Sequence, residues 1–348
     1  MCLVRREWTG HKSGPERLWS TWFSACLDPA PTPSSMAIRI LTAHAKYLWL
    51  AIPLLGLLEF GASVYFSRRF PVVDEWRALA TEVRALKRES DLIVIAPEWA
   101  EPLARNAFTD SLMPIADVAR PDEAAYPRAI EISALDNENS LVADWPVSSA
   151  RRSGKFTLRV RTNPSFKPPR FVLTDHAQLS ELSVWQRDSG GELKPCRYGA
   201  RPPSSASGLL ARPAFPRQRF ACGPAEGNFA GTTIIEDQDD RARRCLWANP
   251  ASGDTLILRF ENVPIGSELY GYVGFPHFRF RDRGWPKVTL SFAINDLQLG
   301  THAHVPESGW QPFQLSTGSF RDSTAAVRIE IHGADSRELE LCFYAATR

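Results

Sequence analysis

The side chains with the clearest potential for binding chemistry lie in a mixed run, FPHFRFRDRGW, at 275–285. Its closing glycine and the proline that follows predict a loop rather than a strand. Sugar recognition needs flat rings that stack on a pyranose and polar groups that hydrogen-bond to its hydroxyls. The run supplies both, and its candidate ligand-binding residues are Trp285, Arg281, Arg283, His277 and Asp282. The alternative is that such rings fill a core, as we expect for Trp247 beside Cys245.

An acidic cluster, EDQDD at 236–240, could bind a metal ion. The carboxylates of Asp237, Asp239 and Asp240 are the kind of oxygen ligand that Ca²⁺ prefers. Arginines follow the cluster at once, so an ion-paired surface turn is the simpler alternative. We predict no cofactor other than this candidate Ca²⁺ ion.

Two histidines form a second candidate metal site. His302 and His304 are two residues apart, so on a strand they would share one face. A third ligand such as His277 would then complete the site. The neighbouring Pro306 and Gly309 make an exposed loop an equally natural interpretation.

Four of the six cysteines lie in the C-terminal half, at positions 196, 222, 245 and 342. Because no CxxC spacing is present, two disulfides are favoured over a zinc site. Three pairings are open, and we favour Cys196–Cys222 with Cys245–Cys342, the second joining an early strand to the last one. Disulfides indicate an oxidising compartment. Four reduced, buried thiols in a cytosolic domain are the alternative.

Charge and motifs exclude several function classes. Lys and Arg total 41 against 39 Asp and Glu, a balance that gives no indication of a nucleic-acid partner. The glycine-rich phosphate-binding motifs, the GxSxG nucleophile motif, the HExxH zinc motif and the EF-hand loop are all absent. No two carboxylates are paired by their spacing, so the sequence identifies no catalytic residue.

The element that positions the rest of the chain is the apolar run 47–66, bounded by Lys46 and by Arg68. A helix of about 20 apolar residues spans the roughly 30 Å hydrocarbon layer of a bilayer. We therefore predict a tail at 1–46, in which 1–35 precede a candidate true start at Met36, and a transmembrane helix at 47–67. A cleavable signal peptide is the alternative. Flanking charges do not orient the helix, but the cysteines favour C-terminal domains outside the cytoplasm.

After the membrane helix, residues 70–165 read as a small α/β domain with a mostly parallel sheet. Asp74 can cap a helix whose apolar positions, from Trp76 to Leu86, have helical spacing. A second helix is expected at about 100–109. Strand-like runs are LIVIAP (92–97), MPIADVA (113–119), AIEISAL (129–135) and KFTLRV (155–160).

From 166 to 348 the pattern changes to about a dozen short strands separated by turn residues. TLILRF, VTLSFAI and VRIEIHG alternate apolar and polar side chains, the period of a sheet with one buried face. This pattern predicts a β-sandwich, jelly-roll-like in its connections.

Three resemblances accompany these patterns. DEWRALATEVRALKRESDLIVIAP, within 70–100, resembles the extracytoplasmic segment of lipid-sugar-dependent glycosyltransferases, whose catalytic acid lies between earlier membrane helices that this chain lacks. The half from RRCLWANP through VPIGSELYGYVGF to ELCFYAATR resembles galactose-binding-like and carbohydrate-binding jelly rolls. The whole arrangement is similar to uncharacterised single-span envelope proteins of high-GC bacteria such as myxobacteria, a resemblance that implies a location but no activity.

Together these observations predict a non-catalytic protein of the cell membrane, with one membrane helix and periplasmic domains. Its β-sandwich would bind glycan or an envelope protein partner. The alternative is an enzyme or accessory subunit in envelope glycan assembly, as the glycosyltransferase-like segment implies.

Overall fold

The computed structural model describes residues 35–177, 181–200, 216–222, 228–250, 253–276, 287–305, 308–333 and 341–348, with the backbone alone at 35–50. The chain falls into two compact units, one ending at Ser67 and one running from Arg68 to Arg348. The second unit therefore holds both downstream domains predicted from the sequence, and the boundary between 165 and 166 stays a prediction.

One long helix, α1 (Ser35–Arg69), lies in the first unit except for its last two residues, and the predicted membrane segment lies within it. Two arginines occupy its last turn, where cations interact favourably with the negative end of the helix dipole. Large apolar side chains from Ile52 to Phe66 are exposed along it. Among the helices that the structure describes, none has the length and apolarity that crossing a membrane requires.

The second unit begins with a mixed helix and strand region. Its elements are α2 (Val73–Leu86), β1 (Asp91–Ala96), α3 (Glu101–Leu112), α4 (Ile115–Val118), β2 (Arg128–Ala134), β3 (Val147–Ser153) and β4 (Phe156–Thr162). Helix α2 confirms the predicted spacing, since Trp76, Leu79, Ala80 and Val83 are all buried. Val72 is its N-cap, and the Glu75 carboxylate accepts a 2.8 Å bond from the Val72 N–H. Asp74 lies in the first turn rather than at the cap.

The sheet of this region is mixed, with strand order β1-β2-β4-β3. Only β1 and β2 run parallel, whereas β4 pairs antiparallel with both β2 and β3. The prediction of a mostly parallel sheet is therefore wrong. The sequence VSSARRS of β3 lies exposed at the sheet edge, so it lacks the apolar alternation that identifies a strand. The predicted strand at 113–119 is also wrong, because it contains the short helix α4.

The rest of the second unit consists of strands. They are β5 (Phe171–Val172), β6 (Leu182–Arg187), β7 (Leu193–Pro195), β8 (Arg197–Ala200), β9 (Gln218–Ala221), β10 (Phe229–Glu236), β11 (Ala242–Asn249), β12 (Thr255–Pro264), β13 (Glu268–Gly274), β14 (Val288–Ile294), β15 (Leu297–His304), β16 (Gln311–Ser316), β17 (Thr324–Gly333) and β18 (Leu341–Thr347). One sheet has the order β16-β13-β18-β11-β10-β9-β8, with β5 also paired to β18, and the other has the order β15-β14-β17-β12-β6-β7.

The two sheets pack face to face around one apolar core. Phe260 and Phe292 enter it from one sheet, and Phe220 and Phe343 enter it from the other. Strand β14 alternates buried and half-buried residues over most of its length, as its sequence pattern predicts. The predicted β-sandwich is confirmed, and the finer jelly-roll assignment stays a prediction.

Both predicted disulfides are present. Cys196–Cys222 links the residue before β8 to the residue after β9, and Cys245–Cys342 links neighbouring strands β11 and β18. Three of these cysteines are buried, and Cys196 packs against the same core. Of the three pairings that the sequence left open, the favoured one is therefore confirmed.

Candidate functional site

A cleft of about 490 Å³ lies where the mixed region meets the turn between β10 and β11. It is lined by Glu98, Trp99, Glu101, Pro102, Val118, Arg120, Glu123, Asn139, Leu141, Asp239, Asp240, Arg241, Ala242 and Arg243. Its volume falls in the range of about 300–1,000 Å³ that is typical of small-molecule sites. Nine of these fourteen residues are polar or charged, and Trp99 is the one aromatic residue among them.

That ring belongs to Trp99, in the short turn Glu98–Ala100 that follows β1. The indole is 57% exposed, whereas Trp76 of α2 is 1% exposed. The edge-on contact of Trp99 with Phe70, at 5.1 Å between ring centroids, supports it from one side. A large apolar ring that folding leaves exposed beside polar groups offers a stacking surface to a ligand.

The wall of the cleft is held by the segment 119–123, which docks onto the sandwich. The Ala119 carbonyl accepts a 2.6 Å bond from the N–H of Arg244 in β11, and the Pro121 carbonyl accepts a 3.1 Å bond from the indole N–H of Trp310. The Tyr272 hydroxyl donates to Asp122 at 3.1 Å. Backbone and side-chain bonds together therefore fix this wall in place.

Arg243 is the buried centre of the same junction. Its guanidinium donates to the Asp237 carboxylate at 2.8 Å, to the Arg120 carbonyl at 3.0 Å and to the Glu123 carboxylate at 3.2 Å. Two carboxylates and a carbonyl thus compensate its charge, so this arginine acts as a structural tie between β11 and the segment before β2.

Near the rim of the cleft, Glu98, Ser140 and Arg241 form a more accessible polar group. The Ser140 hydroxyl donates to Glu98 at 2.7 Å, and the Arg241 guanidinium donates to Ser140 at 3.2 Å. Arg241 also lies 3.6 Å from the Glu98 carboxylate. These groups can exchange bonds with ligand hydroxyls at little cost because each is partly open to solvent.

Glu101 and Arg120 are two further charged residues of the lining. Burial raises the pKa of Glu101, with a further increase from Glu98 and opposing effects from Arg120 and Arg105. Arg120 is buried, and its Nε atom lies 3.5 Å from Glu123 without making a hydrogen bond in the described part of the chain. Both side chains therefore retain hydrogen-bonding capacity that the fold does not use.

The structure places the predicted Ca²⁺ ligands in an ion-paired turn, the alternative given by the sequence. One Asp237 oxygen accepts bonds from the N–H groups of Asp239 and Arg241 at 2.9 and 3.0 Å, and the other accepts from Arg243. Asp237 is buried, whereas Asp240 is exposed. Across the residues that the structure describes, no three His, Cys, Asp or Glu side chains are placed to hold a metal ion.

His302 and His304 share one face of β15 as predicted, with ring centroids 6.2 Å apart. Burial lowers the pKa of His304 to about 4 and also lowers that of His302. His304 stacks on Phe275, and His302 contacts Phe313. The two imidazoles are thus neutral packing groups of the sandwich, and the third proposed ligand, His277, lies outside the described residues.

All five predicted ligand-binding residues, namely Trp285, Arg281, Arg283, His277 and Asp282, lie outside the described residues. Trp247 is buried against Phe229 and the Cys245–Cys342 disulfide, as expected for a core residue. Sequence reasoning missed Trp99. The available signal was a tryptophan between two glutamates just after a buried strand and its closing proline.

No family model matches the chain, and no curated protein matches it. Among solved structures, the CBM51-2 and INT domains of Clostridium perfringens ZmpB, in complex with GlcNAc, match with a TM-score of 0.25 and 9% identity, over 47% of this chain and 37% of that one. The CBM51 of Clostridium perfringens GH95, in complex with methyl-galactose, gives 0.24 and 6%, over 34% and 81%. A carbohydrate-binding module of the β-sandwich superfamily gives 0.28 and 12%, over 55% and 65%.

The present chain spans 26% and 37% of the length of two ZmpB structures that it matches. At TM-scores below 0.5 these likenesses carry no argument about fold or ligand. The sandwich assignment rests on the sheets described above, and the case for a ligand rests on the geometry of the cleft.

Proposed function

We propose that this chain is a non-catalytic binding protein that takes a carbohydrate in the cleft beside Trp99. The observation that carries the proposal is that Trp99, which is 57% exposed, lines a cleft of about 490 Å³ together with charged side chains. A pyranose has an apolar face that stacks on an aromatic ring and hydroxyls that hydrogen-bond in its plane. Trp99 offers the first interaction, and Glu98, Glu101 and Arg241 offer the second.

The sandwich contributes one side of this cleft through residues 239–243. The site therefore involves the mixed region as well as the β-sandwich to which the sequence assigned binding. The run 275–285, which the sequence analysis singled out, remains a second proposed binding segment, independent of Trp99.

The test is a glycan-array screen of the full-length chain in detergent micelles, followed by titration of each hit. We expect saturable binding that weakens at least about tenfold in Trp99→Ala, because an exposed tryptophan that becomes covered on binding is a frequent hot spot of binding energy. Phe166→Ala is the matched control, since Phe166 is an exposed aromatic residue that does not line the cleft. Equal affinity of the wild type and Trp99→Ala would refute the assignment of the site.

We further propose that the segment 47–66 attaches the protein to a membrane and that the second unit lies outside the cytoplasm. Exposed apolar side chains in the described part of α1 support the attachment, and the two disulfides support an oxidising compartment. Carbonate extraction of membranes should leave the full chain in the pellet. A thiol-alkylating reagent added before reduction should leave all four disulfide cysteines unmodified, and their labelling in intact cells would contradict the location.

A further inference from the structure

We propose that the cleft selects carbohydrates that carry a positive charge, namely glycans with an unacetylated amino sugar. This inference rests on the proposed carbohydrate-binding function and adds the charge of the ligand to it. It follows from how the ionisable groups of the cleft are paired with one another.

The cleft has more carboxylates than guanidiniums. Five acidic residues and three arginines line it, which leaves a formal charge of −2 when all are ionised. The acidic residues are Glu98, Glu101, Glu123, Asp239 and Asp240, and the arginines are Arg120, Arg241 and Arg243. An anionic glycan would meet net repulsion there, whereas a cationic one would be attracted.

The three guanidiniums are also already in contact with acidic groups. Arg243 bonds to Asp237 and Glu123, Arg241 lies 3.6 Å from Glu98, and Arg120 lies 3.5 Å from Glu123. Their positive charges are therefore offset within the fold. The same contacts offset Glu98 and Glu123, so the net negative charge of the cleft is the −2 that follows from its larger number of carboxylates.

Glu101 is the carboxylate best placed to receive a cation. It lines the cleft, it is half-buried, and it makes no ion pair or hydrogen bond within the described part of the chain. Burial raises its pKa, Arg120 and Arg105 oppose this effect, and Glu98 adds to it. An ammonium group beside Glu101 would stabilise its ionised form further.

Two further features of the cleft fit an amino sugar. A cation over the face of a tryptophan is attracted by the ring, and the indole of Trp99 is exposed at the cleft edge. The Arg120 Nε–H, buried and without an acceptor in the described residues, can donate to a sugar oxygen. An amino sugar therefore supplies a flat face, an ammonium and an acceptor in one ring.

A lysine-rich protein partner would carry the same ammonium groups as an amino sugar, but it would need a larger contact surface. Stable protein interfaces bury about 1,200–2,000 Å² in total, whereas this site is a concave cleft with one exposed ring. The geometry therefore favours the sugar, and a lysine peptide serves as a competing probe.

The experiment is calorimetric titration of the full chain in detergent micelles with four probes of equal length. These are a glucosamine tetrasaccharide, an N-acetylglucosamine tetrasaccharide, a galacturonate tetrasaccharide and tetralysine. We expect the glucosamine form to bind at least about tenfold more tightly than the acetylated form. That preference should shrink as salt rises from 50 to about 500 mM, because salt screens partly exposed charges.

Glu101→Gln removes the charge of this carboxylate and should therefore remove most of the preference for the amine, so that the glucosamine and acetylated forms bind with similar affinity. Glu192→Gln, at an exposed glutamate that pairs with Lys194 away from the cleft lining, should change neither affinity.

The outcomes separate the two proposals. Equal binding of the amine and acetylated forms, or tighter binding of the galacturonate, overturns the charge preference and leaves carbohydrate binding intact. Tighter binding of tetralysine than of the glucosamine form assigns the cleft to a protein partner and overturns the inference. Absence of binding by every probe, together with an array screen without hits, overturns both proposals.

Discussion

His304 should make the folded chain less stable as the pH falls from about 6.5 towards 4. Burial lowers its pKa from 6.5 to about 4, with a smaller contribution from His302. The unfolded chain therefore binds a proton at a higher pH than the folded chain does. The stability contributed by the neutral imidazole is complete above about pH 6.5 and is lost as the pH falls from 6.5 towards 4.

The shift of about 2.5 pH units corresponds to about 3 kcal/mol, at about 1.36 kcal/mol for each unit. The structural reason is that the ring is 1% exposed, stacks on Phe275 and has no partner for its Nε2 atom within the described residues. A charged imidazolium there would lose its hydration without gaining an acceptor, apart from a 3.4 Å contact between Nδ1 and the Ser308 hydroxyl.

The assay is urea unfolding of the oxidised protein at constant ionic strength from pH 7 to pH 4, for the wild type and His304→Leu. We expect the variant to lose about 3 kcal/mol less than the wild type over this range. Effects of the raised pKa values of Asp122 and Glu101 cancel in this difference, because both proteins retain those groups. The exposed His332 provides the control His332→Leu, which should parallel the wild type. Parallel curves for the wild type and His304→Leu would refute the reasoning.

Two further predictions concern stability. Arg243→Met leaves the buried Asp237 and the half-buried Glu123 without their cation, and we expect a loss of about 3–5 kcal/mol in urea unfolding. Adding Asp237→Asn should restore part of this stability. A loss below about 1 kcal/mol would contradict a structural role for Arg243. The Cys245–Cys342 disulfide closes a segment of 97 residues, and the Cys196–Cys222 disulfide closes one of 26. Because a longer closed segment restricts the unfolded chain more, replacing the first pair by alanines should cost about 1 kcal/mol more than replacing the second pair. Thermal and urea unfolding of the two double variants test this order, and a reversed order would count against the entropic account.

Local patterns predicted much of the fold. The apolar spacing of α2 and the alternation in β14 identify those elements because each buries one face against a single neighbouring layer. Strand β3 was missed for the same reason, since an exposed edge strand has no face to bury. The direction of β4 beside β2 is likewise invisible in the sequence, because strand pairing depends on long-range register rather than on composition.

The amino-acid sequence by itself determined the helix and strand periods and an apolar helix segment ahead of the folded unit, and it favoured one of three pairings of four cysteines. Only the tertiary structure decided where a site lies. Residues 98–101, 120–123 and 239–243 are far apart in the chain and form one cleft, because Arg243 and the Ala119 carbonyl join β11 to the segment before β2. Trp76 and Trp99 show the physical reason. Trp76 is buried on the inner face of α2, whereas Trp99 is exposed in a short turn. Whether a tryptophan is buried depends on which other parts of the chain pack against it.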